Sequence, residues 1–191
     1  MRTIIVILSI FWVGLPTLQA QDKWPPVDKS PLDISYCPNN YPILKVQQKT
    51  RGPLVAKMIY SRPAMQGRKI FGDLIEYGKV WRMGANEATE IEFFKEVYLG
   101  KTKVKKGRYS IYLIPNTGKW TFILNRETDT WGAFAYDEKK DVVRMEVTPQ
   151  YSSNVLENLA VYFDECGSSC YSINLMWENT QLSIPFQVAK P

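Results

Sequence analysis

The chain has 191 residues, of which 24 are Lys or Arg and 19 are Asp or Glu, so its formal net charge is +5. It contains no histidine, which excludes active sites that use His as the general base and removes the commonest zinc and copper ligand. Positive and negative residues alternate along most of the chain. The densest basic cluster, residues 101–108, is interpreted as a solvated hairpin face. This pattern indicates no nucleic-acid partner.

Residues 1–20 have the pattern of a signal peptide. Arg2 supplies a positive start, an apolar run follows over residues 4–15, and the small residue Ala20 ends the segment. We therefore expect cleavage near Ala20 and export to the periplasm or the medium, with no transmembrane segment in the remaining chain. The alternative is a membrane anchor, but the apolar run is shorter than the roughly 18–20 residues that span a bilayer.

Residues 21–43 are rich in Pro and Asp and are predicted to form an irregular lead-in. The rest, 44–191, is predicted to form a single all-β domain, an antiparallel β-sandwich or a jelly roll, because short segments rich in β-branched and aromatic residues alternate with turn signals. The predicted strands cover residues 54–60, 88–94, 108–114, 119–125, 141–147, 159–165, 172–177 and 181–186. The third and fourth of these flank Pro-Asn-Thr-Gly and predict a hairpin.

The segment 62–88 places arginines among glycines and large apolar residues. Phe71 and Trp81 favour burial, so Arg62, Arg68 and Arg82 are expected near apolar surface, where a guanidinium needs a partner. In one interpretation Arg82 pairs with Glu87 across the intervening turn and nothing binds. In the other, the arginines line a pocket for an anionic or polyol ligand, with aromatic rings as an apolar wall. The predicted ligand-binding residues are Arg62, Arg68, Trp81, Arg82, Asn86, Glu87, Trp131 and Tyr136.

Acidic residues offer the alternative of catalysis. Glu90 and Glu92 share one face of a predicted strand that Glu87 precedes, so a two-carboxylate glycan hydrolase is a competing hypothesis, with Glu87 as its first catalytic candidate. A solvated strand face explains the same residues more simply. The acidic residues around 129–141 resemble a charged turn more than a calcium loop, and no metal or cofactor is predicted.

The three cysteines are interpreted in the light of export. Cys166 and Cys170 lie between two predicted strands and can form a local disulfide across a hairpin. A redox pair would favour a Cys-x-x-Cys spacing on a helix, which this sequence does not have. Cys37 is left over and is expected to be a buried thiol.

Several blocks of sequence recur together in one known family. RPAMQGRKIFG, YGKVWRMGANEAT, WTFILN, WGAFAYD and DVVRMEVTP follow in this order, and the chain resembles the DUF2911 family of exported bacterial proteins over about residues 30–186. Because that family is named for an unknown function, the resemblance implies no activity. The signature positions that it implies are Arg62, Pro63, Gly67, Arg68, Phe71, Gly72, Trp81, Arg82, Gly84, Asn86, Glu87, Trp120, Asn125, Trp131, Gly132 and Tyr136. The cysteines stand outside this pattern.

The sequence therefore predicts an exported protein whose function is non-catalytic binding of a small anionic or carbohydrate ligand. The glycan hydrolase and a structural or interaction module of the cell envelope are the alternatives.

Overall fold

The computed structural model describes residues 24–50 and 52–190. The predicted signal peptide and its cleavage site near Ala20 lie outside the described residues. Within them, one short helix, α1 (Tyr41–Val46), and one 3-10 turn (Glu138–Lys140) accompany ten β-strands, and all strand pairs are antiparallel. The prediction of an all-β sandwich is confirmed.

Six strands form the first sheet, in the order β1-β2-β3-β6-β7-β8. They are β1 (Leu32–Cys37), β2 (Ala56–Ser61), β3 (Glu90–Phe93), β6 (Gly107–Ile114), β7 (Trp120–Asn125) and β8 (Asp141–Val147). The predicted hairpin is confirmed as β6 and β7, which pair from Ser110↔Asn125 to Ile114↔Thr121. Alternating burial along these strands gives the sheet one face toward the core.

Four strands form the second sheet, in the order β5-β4-β10-β9. They are β4 (Val97–Leu99), β5 (Thr102–Val104), β9 (Gln150–Gly167) and β10 (Cys170–Val188). Both of the last predicted strands, 172–177 and 181–186, belong to β10, which continues through bulges where its register against β9 shifts. The polar residues Glu178 and Asn179, which separated the two predictions, lie within this one strand.

The N-terminal segment corrects one prediction. Residues 21–43 were expected to be irregular, but β1 pairs with β2 along its whole length and forms an edge of the first sheet. Pro31 and Pro38 bracket this strand, and an edge strand tolerates nearby prolines because its outer N–H groups need no partner in the sheet. The lead-in is therefore in part a structural element of the sandwich.

The core between the sheets contains a group of large aromatic rings. Phe71 contacts Trp81, Trp120 and Trp177, with ring centroids 5.6, 4.6 and 6.2 Å away. Trp120 comes from the first sheet and Trp177 from the second, so this aromatic group joins the two layers.

A second, smaller apolar cluster covers the outer face of the first sheet. Ala88, Tyr112 and Ile123 are buried there, with Ala133 and Tyr136 packed against them. The loops before β3 and after β7 thus lie over the sheet rather than in solvent. They carry most of the predicted ligand-binding residues.

The structure joins Cys166 and Cys170 in a disulfide at the tip of the β9–β10 hairpin. Cys37 is a free, fully buried thiol, and burial raises its pKa well above the ordinary value. Across residues 24–50 and 52–190, no helix has the length and apolar character to cross a membrane.

Candidate functional site

The turn formed by residues 81–89 positions the arginine at the centre of the signature. Trp81 exchanges two backbone hydrogen bonds with Leu113 of β6, of 2.7 and 2.9 Å, and its ring enters the core. Successive side chains of an extended segment point to opposite faces, so Arg82 is directed to the outer face. The amide of Thr89 donates to the carbonyl of Arg82 at 3.1 Å and closes the turn.

Side chains hold this turn in an unusual backbone conformation. Met83 and Asn86 have positive φ angles of 53° and 59°, which cost a non-glycine residue about 1 kcal/mol or more. The Ser61 hydroxyl bonds both the carbonyl and the amide of Ala85 at 2.6 Å, and Thr89 Oγ1 donates to the carbonyl of Met83 at 2.8 Å. The turn is therefore fixed by contacts outside itself.

We expect Gly84→Ala to lower the free energy of unfolding by about 1–3 kcal/mol, the usual cost of overpacking. A methyl group at Gly84 would lie 2.8 Å from Ser61 Oγ, and that oxygen is held by its two bonds to Ala85. Urea unfolding followed by circular dichroism measures the change. The control is Gly118→Ala, whose methyl group would meet none of the described atoms within 4 Å, and an equal loss in both variants would contradict the expectation.

Part of the Arg82 guanidinium lacks a partner within the described residues. Its Nε atom is buried and has no hydrogen-bond acceptor among the described residues. The ion pairs of residues 24–50 and 52–190 include neither Arg82 nor Glu87, so the predicted pairing of these two residues is wrong. Burial lowers the pKa of the Arg82 guanidinium, but arginine stays charged at neutral pH, and no described carboxylate pairs with it.

Two exposed aromatic residues belong to the segment that passes next to the Arg82 side chain. Gly132, with φ of 66°, allows the approach: a methyl group there would lie 3.9 Å from Cδ of Arg82 and 3.0 Å from the Phe134 ring. The Trp131 and Phe134 side chains are 60% and 90% exposed. Backbone pairing brings this segment to the turn, since the amide of Gly132 donates to the carbonyl of Asn86 at 2.9 Å. We call Arg82, Asn86, Glu87, Trp131 and Phe134 the Arg82 site.

A model of the DUF2911 family, described as a protein of unknown function, matches residues 42–186. The chain belongs to the DUF2911 family. The resemblance noted from the sequence blocks is thereby confirmed, and four of the five residues of the Arg82 site are among the signature positions that the resemblance implied. No curated protein and no solved structure matches the chain.

In this DUF2911 protein the other two signature arginines have partners. Arg62 Nη1 binds Asp33 Oδ2 at 3.0 Å, and its Nε donates to the carbonyl of Leu159 at 3.1 Å. It thereby links β1 to β9. Arg68 is exposed and donates to the carbonyls of Ala64 and Met65. Asp33 is therefore the carboxylate partner of Arg62, whereas Arg68 is held by backbone carbonyls. Neither adjoins the Arg82 site through any described contact.

Two predicted aromatic residues also have structural contacts. Trp81 is buried, and its indole N–H donates to the carbonyl of Gly84 at 3.0 Å. It therefore supports the turn from the core side. Tyr136 packs on Tyr112 and donates to Asp141 Oδ2 at 2.8 Å. Burial, followed by this contact with Asp141, raises the pKa of Tyr136 to about 12.

The carboxylates of the hydrolase hypothesis are mostly engaged by cations. Glu92 pairs with Lys57, and Glu90 pairs with Arg108, which also binds Asp129. Glu87, Glu90 and Asp129 do line one cavity of about 170 Å³ beside β2, but only Glu87 is free of an ion pair among the described residues. The described residues contain no group of three Cys, Asp or Glu side chains that could hold a metal ion.

Phe134 was not among the predicted site residues. Its signal in the sequence is weak, since a Phe between two alanines in WGAFAYD looks like an ordinary core residue. Ser61 was missed for a different reason, because its contact with Ala85 spans 24 positions.

Proposed function

We propose that the protein binds a small organic anion at the Arg82 site, without catalysis. The observation that carries this proposal is the buried, unpartnered Nε of Arg82. A buried donor of a charged group without an acceptor costs roughly 1–3 kcal/mol or more, and a carboxylate accepting from Nε and a neighbouring N–H would remove that cost. Arginine is the side chain best suited to such paired recognition.

The surroundings of Arg82 support a ligand with a ring and hydroxyl groups. Trp131 and Phe134 offer exposed aromatic surface on the segment next to Arg82, and an aromatic plate suits the apolar face of a sugar ring. The side chains of Asn86 and Glu87 make no hydrogen bond or ion pair within the described part of the chain, so they are available to hydroxyl groups. A sugar acid, with its carboxylate on Arg82, combines these features.

We place this activity outside the cytoplasm. The support comes from the predicted signal peptide over residues 1–20 and from the Cys166–Cys170 disulfide, since disulfides persist mainly in exported proteins.

The test is a thermal melt of the protein, purified from expression of the full chain, with glucuronate, glucose, phenylacetate or phosphate. At a concentration of 100 times Kd a ligand adds about 2.7 kcal/mol, which corresponds to a rise in Tm of roughly 5–10 °C for a chain of this size. We expect glucuronate to raise Tm, glucose to leave it unchanged, and Arg82→Met to abolish the rise. Trp131→Ala should weaken the response to glucuronate more than any response to phosphate.

Arg68→Met is the matched control, because Arg68 is exposed and bonded only to nearby backbone. It should retain the full ligand response. In the absence of ligand, Arg82→Met should be at least as stable as the parent, since it removes an unsatisfied buried donor. The proposal fails if none of the three anions raises Tm, or if their effect persists in Arg82→Met.

A further inference from the structure

A second cavity lies between the N-terminal segment and the end of the β9–β10 hairpin. Its volume is about 520 Å³, within the roughly 300–1,000 Å³ typical of small-molecule sites. It shares no residue with the Arg82 site. The N-terminal side of the cavity includes Tyr41, Leu44 and Lys49, and the hairpin side includes Phe163, Asp164, Glu165 and Tyr171.

The two sides of this cavity carry opposite charges. Lys49 lies on the N-terminal side, and Asp164 and Glu165 lie on the hairpin side. No ion pair within 4.0 Å joins Lys49 to either carboxylate in the described part of the chain. Asp164 accepts only one long hydrogen bond there, of 3.3 Å from Asn174 Nδ2. Lys49 and the two carboxylates therefore lie on opposite sides of the cavity and do not pair with one another.

Aromatic and aliphatic groups form most of the remaining lining, together with the polar residues Asn39 and Thr50. Phe163 is buried, and the Tyr171 ring stacks on Phe186 with centroids 5.8 Å apart, which fixes its position. Burial raises the pKa of Tyr171 above its ordinary value, so its hydroxyl stays protonated at neutral pH and can donate. Tyr41 and Leu44 contribute apolar surface from the other side.

We propose that this cavity binds a short peptide as a zwitterion. The ammonium group lies toward Glu165, the carboxylate lies toward Lys49, and an apolar side chain packs against Tyr41 and Leu44. A ligand with one charge contacts only one side of the cavity and gains nothing from the charge on the other side. The separation of the charges thus selects for molecules that carry both, and the apolar lining selects for a hydrophobic side chain.

Isothermal titration with three probes tests this selection. Gly-Phe carries both charges, phenylethylamine only the ammonium, and 3-phenylpropionate only the carboxylate. We expect Gly-Phe to bind about tenfold or more tightly than either of the others, because a hydrogen bond to a charged group contributes at least that factor. Lys49→Gln should bring the affinity for Gly-Phe down to that for phenylethylamine and leave phenylethylamine binding unchanged.

Glu165→Gln should have the complementary effect, weakening Gly-Phe and phenylethylamine but not 3-phenylpropionate. Lys49 and Glu165 are exposed, so both variants should fold, which circular dichroism verifies. Lys139→Gln is the control for loss of a surface lysine. Arg82→Met should bind Gly-Phe normally, which separates this inference from the function proposed for the Arg82 site.

Absence of Gly-Phe binding at millimolar concentration would overturn the inference. Equal affinity for the three probes would do the same, as would a loss in Lys49→Gln that is as large for phenylethylamine as for Gly-Phe.

Discussion

Trp177→Ala is expected to lower the free energy of unfolding by about 3–5 kcal/mol, the range for removing a large aromatic side chain from a core. Trp177 is 1% exposed and lies on β10 of the second sheet. Its ring stacks on Trp81 at 6.0 Å and contacts Phe71 at 6.2 Å, both from the segment that precedes β3. Its indole N–H also donates to the carbonyl of Glu157 at 3.2 Å. Truncation thus opens a cavity between the layers and leaves a carbonyl without its donor.

Urea unfolding followed by far-ultraviolet circular dichroism measures this loss. The matched control is Trp131→Ala, which removes the same side chain from an exposed position and should change the stability by no more than about 0.5 kcal/mol. Comparable losses in the two variants would show that the aromatic group around Phe71 does not join the sheets as described.

Local sequence predicts a strand well when its alternating apolar residues and the turn that ends it are close together in the chain. Residues 141–147 match β8, and the β6–β7 hairpin needs only its alternating apolar residues and a four-residue connection. The length of β9 was not predictable in this way. Most residues between 150 and 158 are exposed, so their sequence shows no alternation of apolar and polar residues. Their pairing with β10 depends on residues far along the chain.

β1 was missed for a related reason. Its outward residues include Leu32 and Ile34, while Asp33 points to the side where Arg62 binds it. The apolar and polar positions therefore do not follow the alternation expected of a half-buried strand. Its role becomes clear only once β2 is placed beside it, 19 residues or more along the chain from each partner.

The contacts of Arg62, Arg68 and Arg82 likewise could not be predicted from neighbouring sequence. Arg82 and Glu87 are five positions apart, which favoured a local ion pair, but Met83 and Asn86 take left-handed conformations between them. Arg62 appeared to lack a carboxylate because Asp33 precedes it by 29 positions. The sequence pattern identified the segment that carries the site. Which of its arginines lacks a partner among the described residues depends on tertiary contacts.

Asn125→Ala is expected to cost about 2–4 kcal/mol, since it leaves buried hydrogen-bonding groups without partners at roughly 1–3 kcal/mol each. Asn125 is 1% exposed and lies at the end of β7. Its Nδ2 donates to the carbonyl of Asp137 at 2.9 Å and to Asp141 Oδ1 at 2.8 Å, and its Oδ1 accepts from the amide of Glu127 at 2.9 Å. One side chain therefore holds both ends of the loop 126–140, which carries Trp131 and Phe134.

The same variant tests whether that loop belongs to the ligand site. Asn154→Ala, at an exposed position of β9, is the control and should leave both the melt and the response to glucuronate unchanged. For Asn125→Ala we expect a lower Tm and a glucuronate response weakened as strongly as in Trp131→Ala, because the aromatic residues lose their fixed place beside Arg82. Arg82→Met, by contrast, should lose binding without losing stability. A destabilised Asn125→Ala that still binds with the parent affinity would mean that Arg82 recognises the anion alone, without the aromatic residues of the loop.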